Sequence, residues 1–126
     1  MADTRADGKG ESMTESQLMH EILWACTRDP SVRLWRNHVA VAVPIRGEST
    51  PQRFGQPGSP DLMGSVTISH DGSPLAVALG IEVKTPSGRV SDLQRAWLAA
   101  HRALGWRCGV ARSVDDALAI VRGENP

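Results

Sequence analysis

Two short segments carry residues whose types and spacing could hold a metal ion. The first is Gly58-Ser59-Pro60-Asp61, and twenty residues after Asp61 the second begins, Ile81-Glu82-Val83-Lys84. Two carboxylates that meet at one point repel each other unless a cation lies between them. Oxygen ligands with open positions for water suit Mg²⁺ or Mn²⁺. Because such a cation polarises a phosphate oxygen and activates a bound water, the pattern predicts phosphodiester hydrolysis.

Lys84 adds a positive charge to this pair of acids. In a strand, residues two apart share a face, so Glu82 and Lys84 point together while Ile81 and Val83 face a core. A lysine placed there orients the attacking water and offsets the charge that grows on phosphorus. A Glu-x-Lys triplet alone is usually an exposed ion pair. Here it ends an apolar run at a suitable distance from Asp61, which favours a site.

A predicted hairpin brings the two segments together. Residues 62–69 and 75–85 are apolar and β-prone, and His70-Asp71-Gly72-Ser73 joins them. Because Asp-Gly is a strong hairpin signal, the two strands should pair antiparallel and return Glu82 to Asp61.

Helices are predicted before and after this hairpin. The first begins at Thr14, which forms a capping box with Gln17, and stops near Arg28. The second covers 91–104, with an apolar stripe of Leu93, Trp97, Leu98 and Leu104. Ser113 caps the last helix.

Strands fill most of the remaining chain. Residues 32–35 and 39–43 form one interrupted or two consecutive strands, 44–60 form a loop, and 106–111 form the final strand. Because a strand, helix and strand in succession usually pair in parallel, we expect an α/β fold with a mixed sheet and flanking helices.

Length and composition indicate one domain. The 126 residues are 40% apolar, which suits a single core over residues 13–126, while the polar residues 1–12 are predicted to form a disordered tail. The chain has no apolar stretch long enough to cross a membrane, so we expect a cytoplasmic protein. Cys26 and Cys108 lack metal-ligand spacing and are predicted to be reduced core residues.

Charge is unevenly distributed although its sum is zero. Residues 28–60 hold five arginines against Asp29 and Glu48. This segment could face phosphates, or it could be a solvated loop.

The motifs together resemble one family, the stand-alone VRR-NUC domains, which are the virus-type replication-repair nuclease branch of the PD-(D/E)XK superfamily. The similarity covers about residues 14–122 and rests on residues 58–64, 81–85, 88–89 and 91–94. It implies a restriction-endonuclease-like core of order α-β-β-β-α-β-α. The implied metal ligands are Asp61, Glu82 and the main-chain carbonyl of Val83. Lys84 is the implied catalytic lysine, and Gln94 faces the site from a helix, although a solvated Gln94 is the alternative.

The family also carries an acid on its first helix, for which Glu15 and Glu21 are candidates. Glu15 lies at the centre of the apolar stripe, whereas Glu21 lies about 120° away. An acidic side chain on the buried face of a helix requires a partner, and contact with a metal ion or with its bound water provides one. We favour Glu15; a first-turn acid stabilised by the helix dipole is its alternative.

Several residues could contact DNA. Arg36-Asn37 follows the first strand as it does in the family, although Asn37 could simply form a turn. Arg53 and Arg89 flank the two motif loops, where they could either contact phosphate or be solvated. Ser59 belongs to the first of these loops and is a further candidate for contact with DNA. The four tryptophans could be base-stacking platforms, but core packing is favoured, and Trp24, which lies off the apolar centre of the first helix, should lie at a protein interface.

These patterns predict an Mg²⁺- or Mn²⁺-dependent DNA endonuclease. The resemblance implies a structure-selective enzyme similar to Holliday-junction resolvases, which cuts branched DNA as a homodimer. The alternatives are a DNA-binding module without catalysis, and a flap or duplex nuclease within a repair or packaging complex.

Overall fold

Three helices and a four-stranded sheet form the main part of the computed structural model, which describes residues 12–42 and 52–124. For residues 40–42 and 52–54 only the backbone is described. The helices are α1 (Glu15–Thr27), α2 (Asp92–Ala103) and α3 (Val114–Val121). The strands are β1 (Val32–Arg36), β2 (Ala40–Ala42), β3 (Gln52–Phe54), β4 (Leu62–His70), β5 (Ser73–Val83) and β6 (Arg107–Ala111).

The main sheet has the strand order β1-β4-β5-β6. β4 pairs antiparallel with both β1 and β5, and β5 pairs parallel with β6. Together with the helices, this sheet has the predicted order α-β-β-β-α-β-α, and the mixed α/β fold is confirmed.

Local signals set the ends of these elements. Thr14 and Gln17 form the predicted capping box of α1, and Ser91 and Gln94 form another at α2. Asp71 and Gly72 make the two-residue hairpin turn with φ of 50° and 79°. Both residues are left-handed, as the tight turns that join twisted strands require.

The predicted loop over 44–60 contains a strand that the sequence did not reveal. Residues Gln52–Phe54 pair antiparallel with Ala40–Ala42 in a separate two-stranded sheet. Three residues are too few for a recognisable alternation of polar and apolar positions. Residues 43–51 lie outside the described part of the chain.

The main sheet has a different layer on each face. One face packs under α1 and α3, where Ile22, Leu62, Leu79, Ile81 and Val83 are fully buried. The other face packs under α2, through Trp97, Leu98 and Cys108.

Some of the predicted core residues are exposed. Leu93 and Leu104 lie outside the apolar stripe of α2, with exposed fractions of 57% and 76%. Leu93 instead packs on Gly58, where a Cβ atom would lie 2.8 Å from Leu93 Cγ. Trp35 is also 57% exposed, so the prediction that it packs in the core is wrong. The prediction that Cys26 and Cys108 are buried and unpaired is confirmed.

Across residues 12–42 and 52–124, each helix is too short or too polar to span a lipid bilayer.

Candidate active site

The register of the β4–β5 hairpin places Asp61 beside Glu82. Leu62, the first residue of β4, pairs with Ile81 of β5, and Asp61 and Glu82 are the next residues outward on the two strands. Asp61 Oδ2 accepts a 2.8 Å hydrogen bond from the backbone nitrogen of Val83. One carboxylate oxygen of Asp61 is therefore fixed to the neighbouring strand.

Glu82 is a buried acid, with an exposed fraction of 1%. The pKa of its carboxyl group is raised to about 9, chiefly by burial and also by hydrogen bonding to Asp61 and by the charge of Asp61. The positive charge of Lys84 acts in the opposite direction. The strand register and the effect of Asp61 on the pKa of Glu82 together indicate that the two carboxyl groups are neighbours.

Lys84 follows directly after β5, and its backbone nitrogen donates to the Ala111 carbonyl oxygen, so it continues the alternation of the strand and shares the face of Glu82. Ile81 and Val83 pack in the core below α1 and α3, which fixes the alternation. Gly88 lies next to the lysine, since a Cβ atom there would contact both Cβ and Cδ of Lys84 at 3.4 Å. The guanidinium of Arg112 holds this loop by donating to the carbonyl oxygens of Thr85 and Gly88 at 2.8 and 2.7 Å.

Of the two candidate helix acids, Glu15 is the one whose charge acts on Glu82. It is exposed in the first turn of α1, and its charge contributes to the raised pKa of Glu82. Glu21 instead lines a shallow depression with Trp24 and Val114. The structure therefore separates the two candidates by position.

The acids suit a hard divalent cation. Glu82 Oε2 is buried and has no hydrogen-bond partner among the described residues, although a buried polar atom normally has one. In that part of the chain, no three His, Cys, Asp or Glu side chains cluster tightly enough to enclose a metal alone. Mg²⁺ usually keeps several waters and takes only one or two carboxylates, so a pair of acids fits it.

A network of hydrogen bonds holds the loop that precedes Asp61. Asn37 Nδ2 donates to Ser59 Oγ at 2.8 Å and to the Pro60 carbonyl oxygen at 2.9 Å. Ser59 Oγ donates to the Gln56 carbonyl oxygen at 2.6 Å, and Trp97 Nε1 donates to the Gln56 side chain. This network connects β1, the loop and α2.

The sequence did not single out Gln56 or Trp97 as positioning residues. A buried indole nitrogen needs an acceptor, but nothing local indicates one 41 residues away. Ser59 is buried, and its hydroxyl group bonds to other residues of the network. Its contact with DNA stays a prediction.

A cleft of about 400 Å³ opens beside Asp61. Arg36, Asn37, Ser59 and Gln94 are among its lining residues. Gln94 Oε1 accepts from the backbone nitrogen of Ser91 in the capping box, so only its amide group remains to face a ligand. The structure therefore brings Gln94 to the site and also gives it a role in its own helix.

The arginines predicted to bind phosphate lie at different places. Arg36 is exposed at the end of β1 and lines the cleft. Arg89 is exposed in the loop after β5, next to Gly88. The side chain of Arg53 lies outside the described part of the structure.

The comparisons with known proteins identify the family. The chain matches the VRR-NUC domain family over residues 3–115, which is most of its length. No curated protein and no solved structure matches it. With this match, the α-β-β-β-α-β-α core and the paired acids beside a lysine, the chain belongs to the VRR-NUC family of nuclease domains.

Proposed function

We propose that this nuclease is an Mg²⁺- or Mn²⁺-dependent endonuclease that hydrolyses phosphodiester bonds in DNA. The observation that carries this proposal is the buried Glu82 carboxyl group, which has an unpartnered oxygen and lies beside Asp61. A buried acid without a partner is costly unless a cation neutralises it. Asp61, Glu82 and the main-chain carbonyl of Val83 are the proposed ligands.

Each residue of the site has a distinct task in this proposal. A divalent cation, when bound, supplies the charge that polarises a phosphate oxygen and lowers the pKa of a water. Lys84 orients the attacking water and offsets the negative charge that develops on phosphorus. Glu15 and the amide group of Gln94 bound the site from the two helices.

The proposed contacts with the DNA backbone lie around this centre. Arg36 lines the cleft beside Asp61, and Arg89 follows the loop next to Lys84. The planar guanidinium group suits phosphate oxygens, and Arg53 and Asn37 complete the proposed set.

We further propose that the enzyme is selective for branched DNA and acts as a homodimer. The described residues of each chain form one candidate site, and a four-way junction has two scissile strands. Two sites related by a two-fold axis can make matched cuts in both strands.

Replacing Lys84 with alanine tests the catalytic proposal. We expect K84A to fold and bind DNA normally and to cut about 100- to 1,000-fold more slowly, because it lacks a group that stabilises the transition state. Arg122→Ala is the matched control, since it removes an exposed cation that pairs with Glu124. Cleavage by K84A at the wild-type rate would contradict the role of Lys84. A wild-type protein that binds DNA but cuts none would be a non-catalytic binding module.

Selectivity is tested by comparing four-way junctions, flaps and plain duplex with Mg²⁺, Mn²⁺ or chelator. We expect paired cuts in the junction, no cutting with chelator, and a dimeric mass in solution. Equal cutting of all three substrates would remove the junction proposal, and preferred cutting of flaps would favour a role within a repair complex.

A further inference from the structure

Trp35 is a large apolar side chain in an exposed position on the edge strand of the main sheet. β1 pairs only with β4 within that sheet, and Trp35 is 57% exposed. Its neighbour Leu34 packs against the core below α1 and α3. Since successive residues of a strand point to opposite faces, Trp35 points to the other face.

That other face is also the face of the candidate active site. Trp35 pairs with Met63, which pairs with Gly80, two residues before Glu82 on β5. Strand spacings of about 4.8 Å and residue rises of about 3.4 Å place Trp35 roughly 12 Å from Glu82 and 8 Å from Asp61. A few stacked nucleotides, at about 3.4 Å each, cover this distance.

The charge around Trp35 favours a nucleic-acid strand over an apolar partner. Arg36, the next residue, is exposed and lines the cleft that contains Asp61. Arg33, two residues before Trp35, is exposed, and its guanidinium donates to the Pro30 carbonyl oxygen at 2.9 Å. As the residue two positions before Trp35 on the strand, Arg33 shares its face, while Arg36 lies at the strand end beside the cleft. An aromatic ring with arginines on both sides in sequence can combine base stacking with phosphate contact.

We propose that Trp35 stacks on an unpaired base of the DNA strand whose phosphate lies at Asp61 and Glu82. This inference rests on the proposed nuclease function and specifies its substrate as DNA with unpaired nucleotides beside the cut. In an intact duplex, the two faces of each base are covered by its neighbours in the stack. Trp35 therefore selects substrates in which a base is free to leave the stack.

The experiment measures DNA binding in chelator, so that it does not depend on cleavage. Wild-type protein, W35A and W35F are titrated into a forked duplex with an unpaired arm and into a blunt duplex of the same length. We expect W35A to bind the fork about 5- to 150-fold more weakly and the blunt duplex nearly as well as wild type. W35F should retain most of the affinity for the fork, because phenylalanine keeps an aromatic face.

Leu75→Ala is the matched control. Leu75 is a 46% exposed apolar side chain of β5, seven residues before Glu82 and so about 24 Å from it at about 3.4 Å per residue, and its loss should change neither affinity. A 2-aminopurine base in the unpaired arm should also lose fluorescence on binding wild-type protein but not W35A.

The inference is overturned if W35A binds the fork as well as wild type, or if it loses affinity for fork and duplex equally. It is also overturned if W35A instead has a lower mass in solution, which would make the exposed edge a contact between copies of the chain. A wild-type protein that shows the Trp35-dependent fork preference but cuts no DNA would support the stacking site and remove the nuclease proposal.

Discussion

Glu82 holds its carboxyl group where water does not reach one of its oxygens. Its pKa is raised from 4.5 to about 9, first by burial and then by Asp61. Without a cation, the folded protein keeps a proton on Glu82 at a pH where the unfolded chain has released it.

This difference predicts that the metal-free protein loses stability as pH rises. Between about pH 4.5 and 9 the folded state binds the extra proton, so the free energy of unfolding falls, by at most about 1.4 kcal/mol per pH unit. Glu82→Gln removes the titrating group and should flatten this dependence, whereas Glu21→Gln should retain it. Urea unfolding from pH 5 to 8.5 with chelator measures both. Parallel curves for E82Q and wild type would contradict the raised pKa.

Glu15 and Glu21 offer a matched pair on one helix. The charge of Glu15 reaches Glu82, whereas Glu21 lies in the depression beside Trp24. We expect Glu15→Gln to weaken Mn²⁺ binding about tenfold, since groups near a metal site commonly affect affinity by this much. Glu21→Gln should bind Mn²⁺ as wild type does. Calorimetric titration measures both, and equal affinities of the two variants would remove Glu15 from the site.

At the scale of the elements, the end of β1 is fastened to the loop that carries Asp61. Asn37 donates twice through its side chain, and its backbone nitrogen donates to the Asp61 carbonyl oxygen at 2.7 Å. The end of β1 therefore fixes the conformation of the loop that carries Asp61.

Removing the side-chain hydrogen bonds of Asn37 should affect both stability and turnover. We expect Asn37→Ala to lower the free energy of unfolding by about 1 to 3 kcal/mol, because buried polar groups lose their partner. It should lower kcat more than it changes KM, because Asp61 is displaced. Asn37→Asp, which keeps the shape but loses the donor, should behave in the same way. A higher KM at unchanged kcat would show instead that Asn37 contacts DNA directly.

Elements with strong local signals could be predicted from the sequence. The Thr14–Gln17 capping box, the Asp71-Gly72 turn and the apolar run of β5 each act within a few residues, and each is found where expected. Gln52–Phe54 was missed because a three-residue strand is defined by its partner and not by its own pattern.

At the scale of the whole molecule, the limit of prediction is packing between distant segments. The meeting of Asp61 and Glu82 follows from one hairpin register, which the turn sets locally. The bond from Trp97 to Gln56 depends on how α2 lies against the sheet. The exposure of Trp35 depends on what lies beside the edge strand, which neither its type nor its neighbours in sequence determine.

The β4–β5 hairpin places the candidate active site at one end and an exposed turn, where a label could be attached, at the other. Its exposed tip at His70–Ser73 is eight residue pairs from Leu62 and Ile81, a distance of about 27 Å at about 3.4 Å per residue. A dye or a surface tether joined at this tip would lie well away from bound DNA. Single immobilised molecules could then be watched as they engage and release individual strands.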